Sequence, residues 1–89
     1  MIARRVTVQG RVQGVGFRWH ARRRAQQLGV MGWVRNTATG SVEAHLEGEG
    51  EAVDALLEWL AVGPAAAHVT RLDEVPTDPI QAEEFQVIP

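Results

Sequence analysis

Apolar and polar positions change period several times along this chain, and each change marks an element. Residues 4–9 alternate, with Val6 and Val8 on one side and Thr7 and Gln9 on the other, which predicts a half-buried strand. From Phe17 the period lengthens. Phe17, Ala21, Ala25 and Leu28 recur at helical spacing, Arg22, Arg23, Gln26 and Gln27 fall mainly outside them, and Gly29 stands where a left-handed C-cap belongs. Residues 30–36 are apolar and rich in strand formers, and Thr37 to Gly40 supplies a turn. Ser41 to Glu47 then alternates cleanly, with Val42, Ala44 and Leu46 on one face and Glu43, His45 and Glu47 on the other. The two runs form a hairpin. After the break at Gly48-Glu49-Gly50, the residues Val53, Leu56, Leu57 and Leu60 make the core stripe of a second helix, which Gly63-Pro64 ends. Residues 68–75 form a strand of poorer alternation, Pro76 and Pro79 bracket a turn, and Phe85 to Ile88 makes a short final strand.

Strand, helix, strand, strand, helix, strand, with a small strand appended, is the split βαβ order of ferredoxin-like folds. It predicts an α+β sandwich: an antiparallel sheet with the first and third strands central and both helices on one face. The other face is left for solvent or a partner. No linker or repeat interrupts the pattern, so residues 1–89 read as one small domain with a modest core.

Composition changes this picture in a few places. Without cysteine the chain has no disulfide framework, no thiol nucleophile and no cysteine metal site, which suits a cytoplasmic protein. The start lacks the apolar core of a signal peptide, and no apolar run approaches the roughly 20 residues of a membrane helix, so no membrane partner is expected. His20, His45 and His68 lack the spacing of a ligand set, so neither metal nor other cofactor is expected. The net charge of −2 conceals an asymmetry. Residues 1–36 carry eight arginines and no acid, whereas residues 37–89 carry one arginine and eleven acids. Such segregation fits an anionic partner for the basic part, or two parts that interleave and pair. Arg22 to Arg24 read as a solvated face. No sheet-aromatic signature of RNA-binding domains is present, which disfavours nucleic acid.

Chemistry is concentrated between Gly10 and Arg18. A strand, a glycine-rich turn and a helix start can aim backbone N–H groups at one point, where the helix adds partial positive charge. Arg18 in the first turn brings a planar fork of donors suited to phosphate or carboxylate. The spacing is neither that of a Walker loop nor G-x-G-x-x-G, and by itself it describes an ordinary tight turn equally well.

The segment Val12-Gln13-Gly14-Val15-Gly16-Phe17-Arg18 resembles the signature loop of the acylphosphatase family. Gly32-Trp33-Val34-Arg35-Asn36 resembles the family's second signature, at the expected interval and on the expected strand. Further similarity runs through Leu28-Gly29 and Val42-Glu43 to Glu84-Phe85, nearly the whole length. The resemblance implies a small, monomeric, cofactor-free enzyme that hydrolyses acyl phosphates to a carboxylate and inorganic phosphate. It puts the family's phosphate-binding arginine on Arg18 and its water-positioning asparagine on Asn36. It also gives the backbone amides of Gln13, Gly14, Val15, Gly16, Phe17 and Arg18 the task of holding phosphoryl oxygens. One departure is the hairpin turn, Thr39-Gly40 where Asp-Gly is frequent, and Trp19 and His20 receive no role. The runner-up is a non-catalytic phosphate- or RNA-binding module of the same fold.

Overall fold

β1 (Ile2–Arg11), α1 (Phe17–Leu28), β2 (Met31–Asn36), β3 (Val42–Gly48), α2 (Gly50–Leu60), β4 (His68–Pro76) and β5 (Phe85–Ile88) appear in the expected order in the computed structural model, which describes residues 1–89. The five strands form one sheet in the order β4-β1-β3-β2-β5, so the first and third strands are central. Register follows the apolar alternation. Val6 lies opposite Ala44 and Val8 opposite Val42, and Val34 faces Ala44 from the other side. These side chains, with Leu46, are buried against Phe17, Ala21 and Ala25 of α1 and Val53, Leu56 and Leu60 of α2. Each fully buried Val, Leu or Phe contributes about 1.5–3 kcal/mol, so this single layer supplies most of the driving force. Gly29 ends α1 in the left-handed conformation, its N–H reaching the carbonyls of Ala25 and Gln26, as its position suggested. No helix is long and apolar enough to cross a membrane.

Two features depart from the expectation. The sheet is antiparallel except at one edge, where β5 runs parallel to β2 with Gly32 opposite Phe85 and Val34 opposite Val87. The cause is the path of residues 77–84. β4 finishes beside Arg4, at the end of the sheet where β2 begins, so a chain that crosses from there to the opposite edge must run alongside β2.

That crossing segment also covers part of the face expected to stay open, at Glu47. His45 and Glu47, outward by alternation, are 0% and 1% exposed. The Glu47 carboxylate accepts hydrogen bonds from the backbone N–H groups of Ile80 (3.0 Å) and Ala82, and its Oε2 lies 3.7 Å from His45 Nε2. Trp33 stacks on the His45 ring, and the Arg5 guanidinium lies 4.9 Å from the Trp33 centroid. Glu47 is therefore the point at which a segment without regular structure is fastened to the sheet.

Charges from the two parts of the sequence meet across the strands, Arg4 with Glu74 and both Arg5 and Arg35 with Glu43. Such partly exposed pairs are each worth at most about 1 kcal/mol. Glu47 matters more. Glu47→Ala removes the acceptor of two part-buried N–H donors and is expected to cost about 1–3 kcal/mol in urea unfolding, with Glu47→Gln costing less because one acceptor oxygen survives.

Candidate active site

The connection from β1 to α1 is shaped by what holds its two ends. At its start, β1 shifts register against β4 between Gln9 and Gly10, and a Cβ on Gly10 would lie 2.2 Å from the carbonyl oxygen of His68. Gly10 thus serves the strand pair and not the loop beyond it. Val12 is buried and seats the loop on the core. Gly14 and Gly16 have φ of 72° and 77°. Around Gly14 there is open space, so the left-handed backbone, and not crowding, selects glycine there. Gly16 is the N-cap of α1, with no side chain capping the helix and no acid in its first turn. The N–H groups of that turn have no helical acceptor, and the positive end of the helix is uncompensated. His20 closes the turn from below, its backbone N–H and its ring Nδ1 both directed at the Gly16 carbonyl, at 3.1 and 2.7 Å. Phe17 is buried against Trp59 of α2, with ring centroids 5.7 Å apart, which fixes where the helix begins.

Two long-range hydrogen-bond sets hold the rest. The Gln13 carboxamide Nε2 donates to the carbonyls of Thr37 and Ser41, both at 2.9 Å, and so ties the loop to the turn that follows Asn36. The Thr37 and Ser41 hydroxyls are 2.6 Å apart and close the same turn. Arg18 Nη1 donates to the carbonyl of Ile88 at 3.0 Å, in β5. Ile88 is the strand partner of Arg35, the neighbour of Asn36, so the anchor of the arginine and the backbone of the asparagine belong to one edge of the sheet.

These restraints bring Gly14, Gly16, Phe17, Arg18 and Asn36 around one depression of about 100 Å³, with Val12 and Trp19 completing its wall. The side chains of Gln13 and Val15 are turned to other tasks. The Gln13 side chain is committed to the hairpin, and Val15 packs against the core. Neither the Ile88 carbonyl nor the bracing role of Gln13 was anticipated, because every residue carries a carbonyl and only the fold selects the one in reach. Trp33 and Arg35 lie away from the depression, Arg35 donating from Nε to Glu43 at 2.8 Å. Of the eight arginines in residues 1–36, Arg4, Arg5 and Arg35 pair with acids, and the other five, Arg11, Arg18, Arg22, Arg23 and Arg24, sit at the loop or along α1. Of these five, Arg18 alone lines the depression.

The sequence pattern of the family Acylphosphatase matches residues 4–87, both signatures included. The chain belongs to the acylphosphatase family. An acylphosphatase of Thermococcus kodakarensis is 51% identical over 81 residues, which cover 91% of this chain and 89% of the relative. The crystal structure of an acylphosphatase from Bacillus subtilis agrees with a TM-score of 0.96 at 31% identity, over the whole of both chains. The structure of an acylphosphatase from Coxiella burnetii agrees at a TM-score of 0.94 and 37% identity, over 98% of this chain and 92% of the other. This acylphosphatase is accordingly a hydrolase of acyl phosphates with the ferredoxin-like α+β fold.

If the brace from Gln13 sets the loop's shape, its removal is felt in both stability and turnover. Gln13→Ala is expected to lower the unfolding free energy by about 1–3 kcal/mol. Its kcat/KM should fall by roughly tenfold through misplacement of the loop alone. Urea denaturation and steady-state kinetics on the same preparation measure the two effects.

Proposed function

We propose that the depression is a phosphoryl cradle in which the loop amides of residues 13–18 and the Arg18 guanidinium hold the phosphoryl oxygens while Asn36 holds the attacking water. The observation that carries this reading is the meeting of Gly14, Gly16, Arg18 and Asn36 in one small depression, although Asn36 lies 18 or more residues from the other three in sequence. Water attacks phosphorus in line with the bond to the acyl oxygen. That P–O bond breaks, its electron pair leaves with the carboxylate, and the water's proton passes to a phosphoryl oxygen of the product.

So sparse a site is sufficient for this chemistry. A carboxylate leaving group with a conjugate acid of pKa about 4 departs without a general acid. Phosphoryl transfer asks chiefly for alignment and for donors on the equatorial oxygens, which are strongest when their positions are fixed beforehand. The Arg18 fork is held in advance by Ile88, and the amides by Gly14 and Gly16. A carboxamide is too weak a base to deprotonate water near neutral pH, but it both accepts and donates hydrogen bonds and so orients one. In this reading the enzyme is a cytoplasmic monomer that needs no metal, and inorganic phosphate, as product, inhibits by occupying the cradle.

Two variants separate the roles. Arg18→Ala is expected to lower kcat/KM for benzoyl phosphate at least about 10³-fold and to weaken phosphate inhibition in parallel, because one fork serves both. Unaltered phosphate inhibition would remove Arg18 from the cradle. Asn36→Ala should lower kcat by about 10²–10³-fold while the inhibition constant for phosphate stays within about twofold. Near-normal turnover in that variant excludes water positioning by Asn36. Both assays are run with excess chelator, where the wild-type rate is expected to be unchanged.

A further inference from the structure

Trp19 is 61% exposed, an indole in water in the first turn of a helix whose neighbouring residues form the cradle. The other large exposed apolar residues, Met1, Val62, Val75 and Ile80, line neither the cradle nor the groove beside it. Trp19 lines both. It lines the depression of about 100 Å³ with Arg18 and Asn36. It also lines a groove of about 400 Å³ with Val87, Ile88 and Pro89 and with the polar side chains of Glu84 and Gln86. The Arg22 guanidinium, one helical turn along, lies 5.7 Å from the indole centroid and also lines this groove. A guanidinium so placed favours one orientation of the ring.

The geometry of the substrate gives this continuity a meaning. In an acyl phosphate the phosphoryl and acyl groups are joined through one oxygen, so whatever fills the small depression delivers its acyl group to the immediate surroundings. The larger groove shares Trp19 with it, and there the indole stands beside Val87, Ile88 and Pro89 with Arg22, Glu84 and Gln86 as the polar part of the lining. We propose that Trp19 is the acyl-group platform of the enzyme, selecting aromatic or other planar apolar acyl groups over short aliphatic ones. This rests on the cradle reading given above. Stacking on the indole buries apolar surface of both partners, and an acetyl group is too small to gain much from it. Trp19 is then a specificity-determining residue that acts on the part of the substrate that does not react.

The test compares kcat/KM for benzoyl phosphate and acetyl phosphate in the wild-type protein, Trp19→Ala and Trp19→Phe. Expressing each protein's result as the benzoyl-to-acetyl ratio cancels the different intrinsic reactivities. Because Trp19 is exposed, both variants are expected to keep the fold, which circular dichroism of each checks. Trp19→Ala is expected to lower the ratio about tenfold, with Trp19→Phe retaining it to within about threefold. A ratio that is the same in all three proteins overturns the platform and leaves the cradle standing. A folded wild-type protein that hydrolyses neither substrate overturns the cradle reading, and the platform with it.

Discussion

The hydrogen bond from Arg18 to the carbonyl of Ile88 joins residues 70 positions apart, and the geometry of the site depends on it. An arginine in the first turn of a helix has four rotatable side-chain bonds and no intrinsic direction. Fixing one of its terminal nitrogens on a sheet carbonyl leaves the remaining donors pointing as a group, and the entropy of that ordering is met during folding and not when a ligand arrives. The Gln13 carboxamide does the same for the loop by reaching two carbonyls of the β2–β3 turn. Neither bond touches the proposed substrate, yet each sets where the groups that would touch it are found.

The distribution of charge follows from the same topology. Interleaving β1, β3, β2 and β4 brings Arg4, Arg5 and Arg35 beside Glu74 and Glu43 from later in the chain, while Arg11 and the four arginines of α1 form no ion pair. The interleaving expected from the charge asymmetry is therefore seen for Arg4, Arg5 and Arg35, whereas Arg11 and the arginines of α1 have no acidic partner.

Most of the fold was legible because one face of each element is apolar at the right period, as Val42, Ala44 and Leu46 in β3 and Phe17, Ala21 and Ala25 in α1 illustrate. What alternation cannot express is the route of a segment that has none. Residues 77–84 carry no periodic pattern, so neither the parallel pairing of β5 nor the burial of His45 and Glu47 could be read from it. In the site, Gly14, Gly16, Arg18 and Asn36 stood out because two separate motifs carry them. Gly10 belonged to the same glycine-rich stretch but answers to a strand irregularity, since a close approach of the β4 backbone leaves no mark in the local sequence.

β5 consists of four residues at the edge of the sheet, paired on one side only. Short edge strands open at lower free energy than the strands inside, often well before the molecule as a whole. Because Arg18 is anchored on this strand, a molecule in which β5 has lifted from β2 keeps most of its secondary structure but withdraws Phe85 from the core and loses the anchor of Arg18. With Arg18 in the role proposed for it, catalytic competence is tied to this edge strand before it is tied to global stability. On warming, the enzyme would fall silent while spectroscopically still folded, and it would recover as soon as four residues returned to their edge.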